Sequence, residues 1–230
     1  HRPAPRTVRG RGMKRKIVIA GGSGLVGKQL VDCLALGGAD VHLVSRRPTA
    51  QSQPNVQEHV APSDEWPAIV ARIQPAVAIS CLGTTIRAAG SQEAFKAIDH
   101  DLVLAFAAAS QSAGAQHFIT VSSVGAMPAS GNFYLRTKAE IEIGLLSIGF
   151  QRIDIMRPSL LTGGKREAHR PGEAFGIFLS PLVDRLMIGP MRKFASTPSH
   201  ILAQAIATLA DRPDQGVFIH ENDSINALAG

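Results

Sequence analysis

The sequence predicts an α/β fold: a doubly wound parallel sheet with helices on both faces and a small C-terminal lobe. Three observations carry this prediction. Strand-like and helix-like apolar patterns alternate along residues 16–157. A glycine-rich turn joins the first of these strands to the first helix. The 230 residues suit one domain with a sizeable core, 45% of them apolar, and hold no apolar run long enough to span a bilayer.

The elements follow in order. Residues 16–20 are a short β-branched run, followed by the glycine turn and an apolar-periodic helix over 25–36. Gly37 and Gly38 end that helix, as glycines do at a C-terminus. Strands are expected at 41–45 and 56–60, then a helix over 66–74 with Pro67 in its first turn, where a missing N–H is tolerated. A fourth strand covers 76–81, and one long alanine-rich helix is expected over 92–111, ending before Gly114. Residues 117–122 read as the fifth strand, 134–147 as a helix and 153–157 as the sixth strand. Beyond Pro158 come a glycine- and charge-rich loop (162–173), a helix near 174–187, a helix over 199–210 and a strand at 217–220. No repeat or interdomain linker interrupts this order, so residues 13–230 are expected as one domain, with 158–198 as a lobe on the substrate side.

The net charge of +6 is unevenly placed. Residues 1–16 hold seven Arg or Lys and no acid, which leaves 17 basic against 18 acidic residues in the body, a net charge of −1. Residues 1–12 are therefore read as a disordered basic tail, not as evidence of a nucleic-acid or membrane partner. The tail lacks the apolar stretch of a secretory signal, and Met13 stands directly before the first strand. Cys33 and Cys81 sit in apolar segments and read as reduced core thiols of a cytoplasmic protein. The eight histidines show no paired ligand spacing, so no metal is expected.

Gly21, Gly24 and Gly27 form a G-x-x-G-x-x-G turn between strand and helix. The first permits a tight turn, the second lets a pyrophosphate approach the backbone, and the third allows close helix–strand packing. With Ser23, Leu25 and Val26 they place free helix N–H groups where phosphates would sit. The second strand ends in Ser45-Arg46-Arg47, where a carboxylate would suit a ribose 2′-hydroxyl. Two guanidiniums suit a 2′-phosphate, so NADP(H) is expected over NAD(H).

Tyr134 and Lys138 are four residues apart, about one helical turn, so phenol and ammonium project from one helix face. A fixed ammonium favours the phenolate and brings a phenol, with its usual pKa near ~10, towards acid–base use. Ser123, just past the fifth strand, lies eleven residues before Tyr134 and offers a hydroxyl to a substrate carbonyl, with Ser122 as its substitute.

Glycine turn, VSS at the fifth strand end, YxxxK and Arg157-Pro158 occur in this order in short-chain dehydrogenase/reductases, which the chain resembles. More narrowly it resembles the atypical branch that includes the Tat-interacting protein, through SCLGTTIRAAG, FKAIDHDLVLAFAAAS, HFITVSSVGA, NFYLRTKAEIE and MRPSLLTGG. The resemblance implies a Rossmann fold and an NAD(P)-dependent oxidoreductase acting on a small carbonyl substrate, as a monomer or homodimer. It implies that Tyr134 donates a proton, Lys138 binds the nicotinamide ribose, and Ser123 orients the substrate. Cys81, Leu82 and Gly83 would pass the adenosine ribose, and Pro158 with Ser159 would abut the nicotinamide. Thr84, Thr85, Arg87, residues 126–133 and residues 165–170 would border the substrate cleft. Where the main branch often has an asparagine serving a proton relay, this chain reads Ile98-Asp99-His100-Asp101. The branch also contains regulatory members, so a cofactor-bound regulator or scaffold is the alternative expectation.

Overall fold

The computed structural model describes residues 15–49, 51–162 and 196–230. Strands β1 (Lys16–Ala20), β2 (Asp40–Ser45), β3 (Val56–Val60), β4 (Val77–Ser80), β5 (His117–Val121), β6 (Arg152–Met156) and β9 (Gly216–His220) form one sheet. Its order is β3-β2-β1-β4-β5-β6-β9 and every pairing is parallel. The chain thus leaves β1 in one direction, then returns to build the other half from β4, a doubly wound sheet as the sequence predicts. A short separate pairing joins β7 (Leu161–Thr162) to β8 (Thr197–Pro198). The expected loop from 163 onward, the helix near 174–187 and the basic tail lie outside the described residues.

Each sheet face is sealed by its own core because alternate strand residues point to opposite faces. Ile17, Ile19, Val77, Ile79 and Ile119 pack under α1 (Leu25–Leu36), α7 (Ser199–Ala210) and α8 (Asn222–Ala229). Val18, Ala20, Ala78, Phe118 and Ile155 pack under α2 (Trp66–Ile73), α5 (Leu102–Ser112) and α6 (Phe133–Leu146). Helix α2 ends where Gln74 takes a left-handed φ of 54°.

The expected single helix over 92–111 is a composite. Helix α4 (Gln92–Lys96), capped by the Ser91 hydroxyl, runs into a π-helical turn over Ala97–Asp101 before α5 begins. One turn with i→i+5 bonding inserts a residue and rotates the rest of the helix about its axis, a feature concentrated at functional sites. Here it points Asp99 inward, where the residue is fully buried. The short α3 (Ile86–Ala89), capped by Thr85, and α8 are additions that the sequence pattern does not signal.

Candidate active site

The carboxyl ends of β1 and β4 meet where the sheet reverses direction, and the glycine turn sits there. Gly21 has φ +86°, and a Cβ on it would lie 2.5 Å from the Cys81 carbonyl carbon. A Cβ on Gly27 would lie 2.1 Å from the Gly21 oxygen. Both positions therefore require glycine: the turn is packed backbone against backbone. Gly24 is the N-cap of α1, its N–H bonded to Gly21 O at 3.1 Å, and no side chain caps the helix. The first turn carries no acid, so its N–H dipoles face outward beside exposed Ser23 and Gly24, half-buried Leu25 and buried Val26. A cradle that a Cβ would fill, topped by an uncapped twelve-residue helix, fits the pyrophosphate of a dinucleotide.

Arg46 and Arg47 are exposed just past the end of β2. Glu58 on β3 fixes the turn that carries them, accepting from the Ser45 hydroxyl at 3.1 Å and the Thr49 N–H at 2.8 Å. Neither guanidinium has a hydrogen-bond or ion-pair partner among the described residues. Across the switch point Cys81 N–H bonds Ala20 O at 2.8 Å, leading the chain through half-buried Leu82 to exposed Gly83. Burial pushes the Cys81 thiol up to about 12, so it serves as packing.

At the end of β5 the two serines part ways. Ser122 is buried and donates to Glu142 Oε1, while Arg157 holds both Glu142 oxygens through Nε and Nη2. Ser123 is half-buried, and its hydroxyl has only a long 3.3 Å bond to Val124 O. Val124 N–H bonds Pro158 O at 2.9 Å, which draws buried Pro158 to the same end of the sheet. Ser159 adjoins Thr197 through its N–H at 3.4 Å.

Asn132 caps α6, its side-chain oxygen accepting from Tyr134 N–H at 2.9 Å, and this sets the helix start immediately before the tyrosine. The Tyr134 ring packs against Phe95 with centroids 5.7 Å apart, and Lys138 Nζ lies 5.7 Å from its centroid. Lys138 is itself buried, and its ammonium donates to Asp99 Oδ1 at 2.8 Å. Asp99 Oδ2 accepts from Thr84 N–H at 2.8 Å. The helix spacing of Tyr134 and Lys138 is as the sequence suggests, but the buried carboxylate behind the lysine is new. The sequence carries no distinct signal for it, because Asp99 stands among Glu93, Lys96, His100 and Asp101 and nothing local marks it as the one that turns inward.

A model of the NAD dependent epimerase/dehydratase family matches residues 17–142, more than half of the chain. The chain belongs to this family. Two relatives are the protein fmp52, mitochondrial, of Emericella nidulans, 36% identical over 71% of this chain and 74% of that protein, and the protein FMP52-1, mitochondrial, of Scheffersomyces stipitis, 33% identical over 82% and 80%. Their names overturn the expected cytoplasmic location. Reduced core thiols suit any reducing compartment, so cysteine usage had no power to choose between cytosol and mitochondrion. Among solved structures, the chain is similar to the Bordetella bronchiseptica enzyme WbmH in complex with NAD+ (TM-score 0.69, 14% identical, 90% of this chain and 76% of that one). It is equally similar to the UDP-glucose 4-epimerase of Thermotoga maritima (TM-score 0.69, 15% identical, 90% and 77%). These likenesses show the fold, and family membership supports a short-chain-type oxidoreductase that uses a nicotinamide dinucleotide.

Proposed function

We propose that the chain is an NADP(H)-dependent reductase of a small carbonyl compound. The observation that carries this is a buried, anchored lysine one helical turn from a half-buried tyrosine, at the same sheet end as the glycine cradle. When bound, the cofactor supplies the hydride. Gly21, Gly24 and Gly27 with the α1 N-terminus would hold its pyrophosphate, and Arg46 with Arg47 a 2′-phosphate. Cys81, Leu82, Gly83 and Pro158 would border its sugar and ring. Tyr134 gives the proton at its Oη to the substrate oxygen as charge develops there, and Lys138 holds a positive charge beside that ring. Ser123 donates a hydrogen bond to the same oxygen, a role that the Glu142 bond denies to Ser122. The stretches SCLGTTIRAAG, FKAIDHDLVLAFAAAS, HFITVSSVGA, NFYLRTKAEIE and MRPSLLTGG support placing the chain beside the Tat-interacting-type reductases within the family.

Tyr134→Phe tests the mechanism. NADPH oxidation across a panel of aldehydes and ketones should fall by about 10²–10⁴-fold, with NADPH affinity nearly unchanged; unchanged turnover refutes the assignment. Arg46→Asp tests the cofactor: affinity for NADPH should drop roughly tenfold while that for NADH holds or improves. A wild-type protein that prefers NADH sinks the arginine argument.

A further inference from the structure

The proton-donor scheme leaves one fully buried group unused. Asp99 bridges two separate elements: Oδ1 takes the ammonium of Lys138 on α6, and Oδ2 takes the N–H of Thr84, which directly follows the Cys81–Gly83 segment. The π-helical turn is what delivers it there. A buried carboxylate is expensive to desolvate, and helices seldom give up regular bonding without a reason.

We infer that Asp99 is a positioning residue for the cofactor, locking Lys138 and the loop after β4 into one preorganised wall. The inference rests on the reductase reading and deepens it. An ammonium has three donors; Asp99 takes one and fixes the direction of the two that remain for hydroxyl groups. The lysine stem loses its rotamer freedom on folding, so cofactor binding need not order it. Other charged groups near this wall are engaged elsewhere. His100 bonds Asp101 at the surface, Lys96 on α4 pairs with Glu140, and Glu142 on α6 is held by Ser122 and Arg157. The Tyr134 ring is the remaining neighbour from α6 itself. Asp99 is thus the one carboxylate within bonding distance of Lys138 among the described residues.

The test is a double-mutant cycle read by NADPH binding, with wild type, Asp99→Asn, Lys138→Met and the double variant titrated by cofactor fluorescence. Each single change should weaken binding by about tenfold, and the double should bind no worse than Lys138→Met, because asparagine keeps an oxygen for the Thr84 N–H and loses only the charge that holds the lysine. Additive losses overturn the inference. If Asp99→Asn alone does not fold, Lys138→Met against the double variant still decides: equal affinity supports the inference and a further loss overturns it. A second readout is the split between the two Michaelis constants. Asp99→Asn should raise the KM for NADPH about tenfold and leave the KM for the carbonyl substrate within about twofold; an unmoved KM for NADPH also overturns it. The binding cycle needs no substrate. Loss of the reductase reading would appear as absent Tyr134-dependent turnover with the cycle intact.

Discussion

Asp99 and Asp154 are both fully buried carboxylates, and the molecule satisfies them in different ways. Asp154, in the middle of β6, accepts four bonds: from Arg152 Nε (2.6 Å) and Nη2 (2.9 Å), with His117 Nε2 and His220 Nε2 each at 2.7 Å. That fills the capacity of a carboxylate. Its partners come from β5, β6 and β9, so it clamps the last strands of the sheet together. Burial opposes its charge, but the bonds from His117, His220 and Arg152 outweigh burial and hold the carboxyl well below its ordinary range. Asp99 instead meets one cation and one backbone N–H, beside a half-buried tyrosine at the glycine-turn end of the sheet. A saturated buried charge is structural, whereas one with capacity to spare beside a partly exposed tyrosine is a candidate for function.

The largest effect should separate the two. Asp154→Ala leaves the buried Arg152 guanidinium only Asp214, through its carbonyl at 2.9 Å and its exposed carboxylate at 3.5 Å, and should cost about 3 kcal/mol in urea unfolding. The folded fraction should bind NADPH as wild type does. A loss under about 1 kcal/mol would break the comparison, since Asp154 would not be the clamp described.

Acid should act in two stages, first on a histidine pair of β2 and β3 and then on the Asp154 clamp. His42 and His59, with ring nitrogens 3.1 Å apart, are both shifted below the ordinary imidazole range, His42 chiefly by burial despite nearby Asp40, and His59 chiefly by burial with His42 adding to it. A base with a lowered folded pKa contributes stability that is complete above its unfolded value, near ~6.5, and is lost as pH falls through the folded one. Asp154, a depressed acid, contributes stability above its unfolded value, near ~3.9, that is lost at still lower pH. Chemical unfolding measured from pH 7 to 2 should therefore show a shallow decline and then a steeper one, the second absent in Asp154→Asn. A steeper low-pH decline retained in that variant would place the acid sensitivity elsewhere.

The smallest effect sharpens the contrast at the end of β5. Ser122→Ala removes a bond to Glu142, which keeps Arg157, and should cost about 1 kcal/mol of stability with turnover retained. Ser123→Ala should leave stability unchanged and lower turnover about 100-fold. The reverse pattern would exchange the two roles.

The glycine turn was legible because its chemistry is local: at Gly21 and Gly27 any side chain collides with backbone within the same strand–turn–helix unit or at the adjacent strand end. The doubly wound parallel sheet followed from alternation and the right-handed crossover, and the Tyr134–Lys138 spacing from helical period alone. The choice between Ser122 and Ser123 was not legible, because it depends on Glu142 and Arg157, which come from two other elements. The long helix over 92–111 was misread as regular since its composition favours helix throughout, and propensity does not register one inserted residue. By itself, then, the sequence determined the sheet, the glycine turn and the spacing of phenol and ammonium, all properties of contiguous chain. Only the tertiary structure decided that Asp99 turns inward to meet Lys138, because partners 39 residues apart are joined by folding and by nothing in the local pattern.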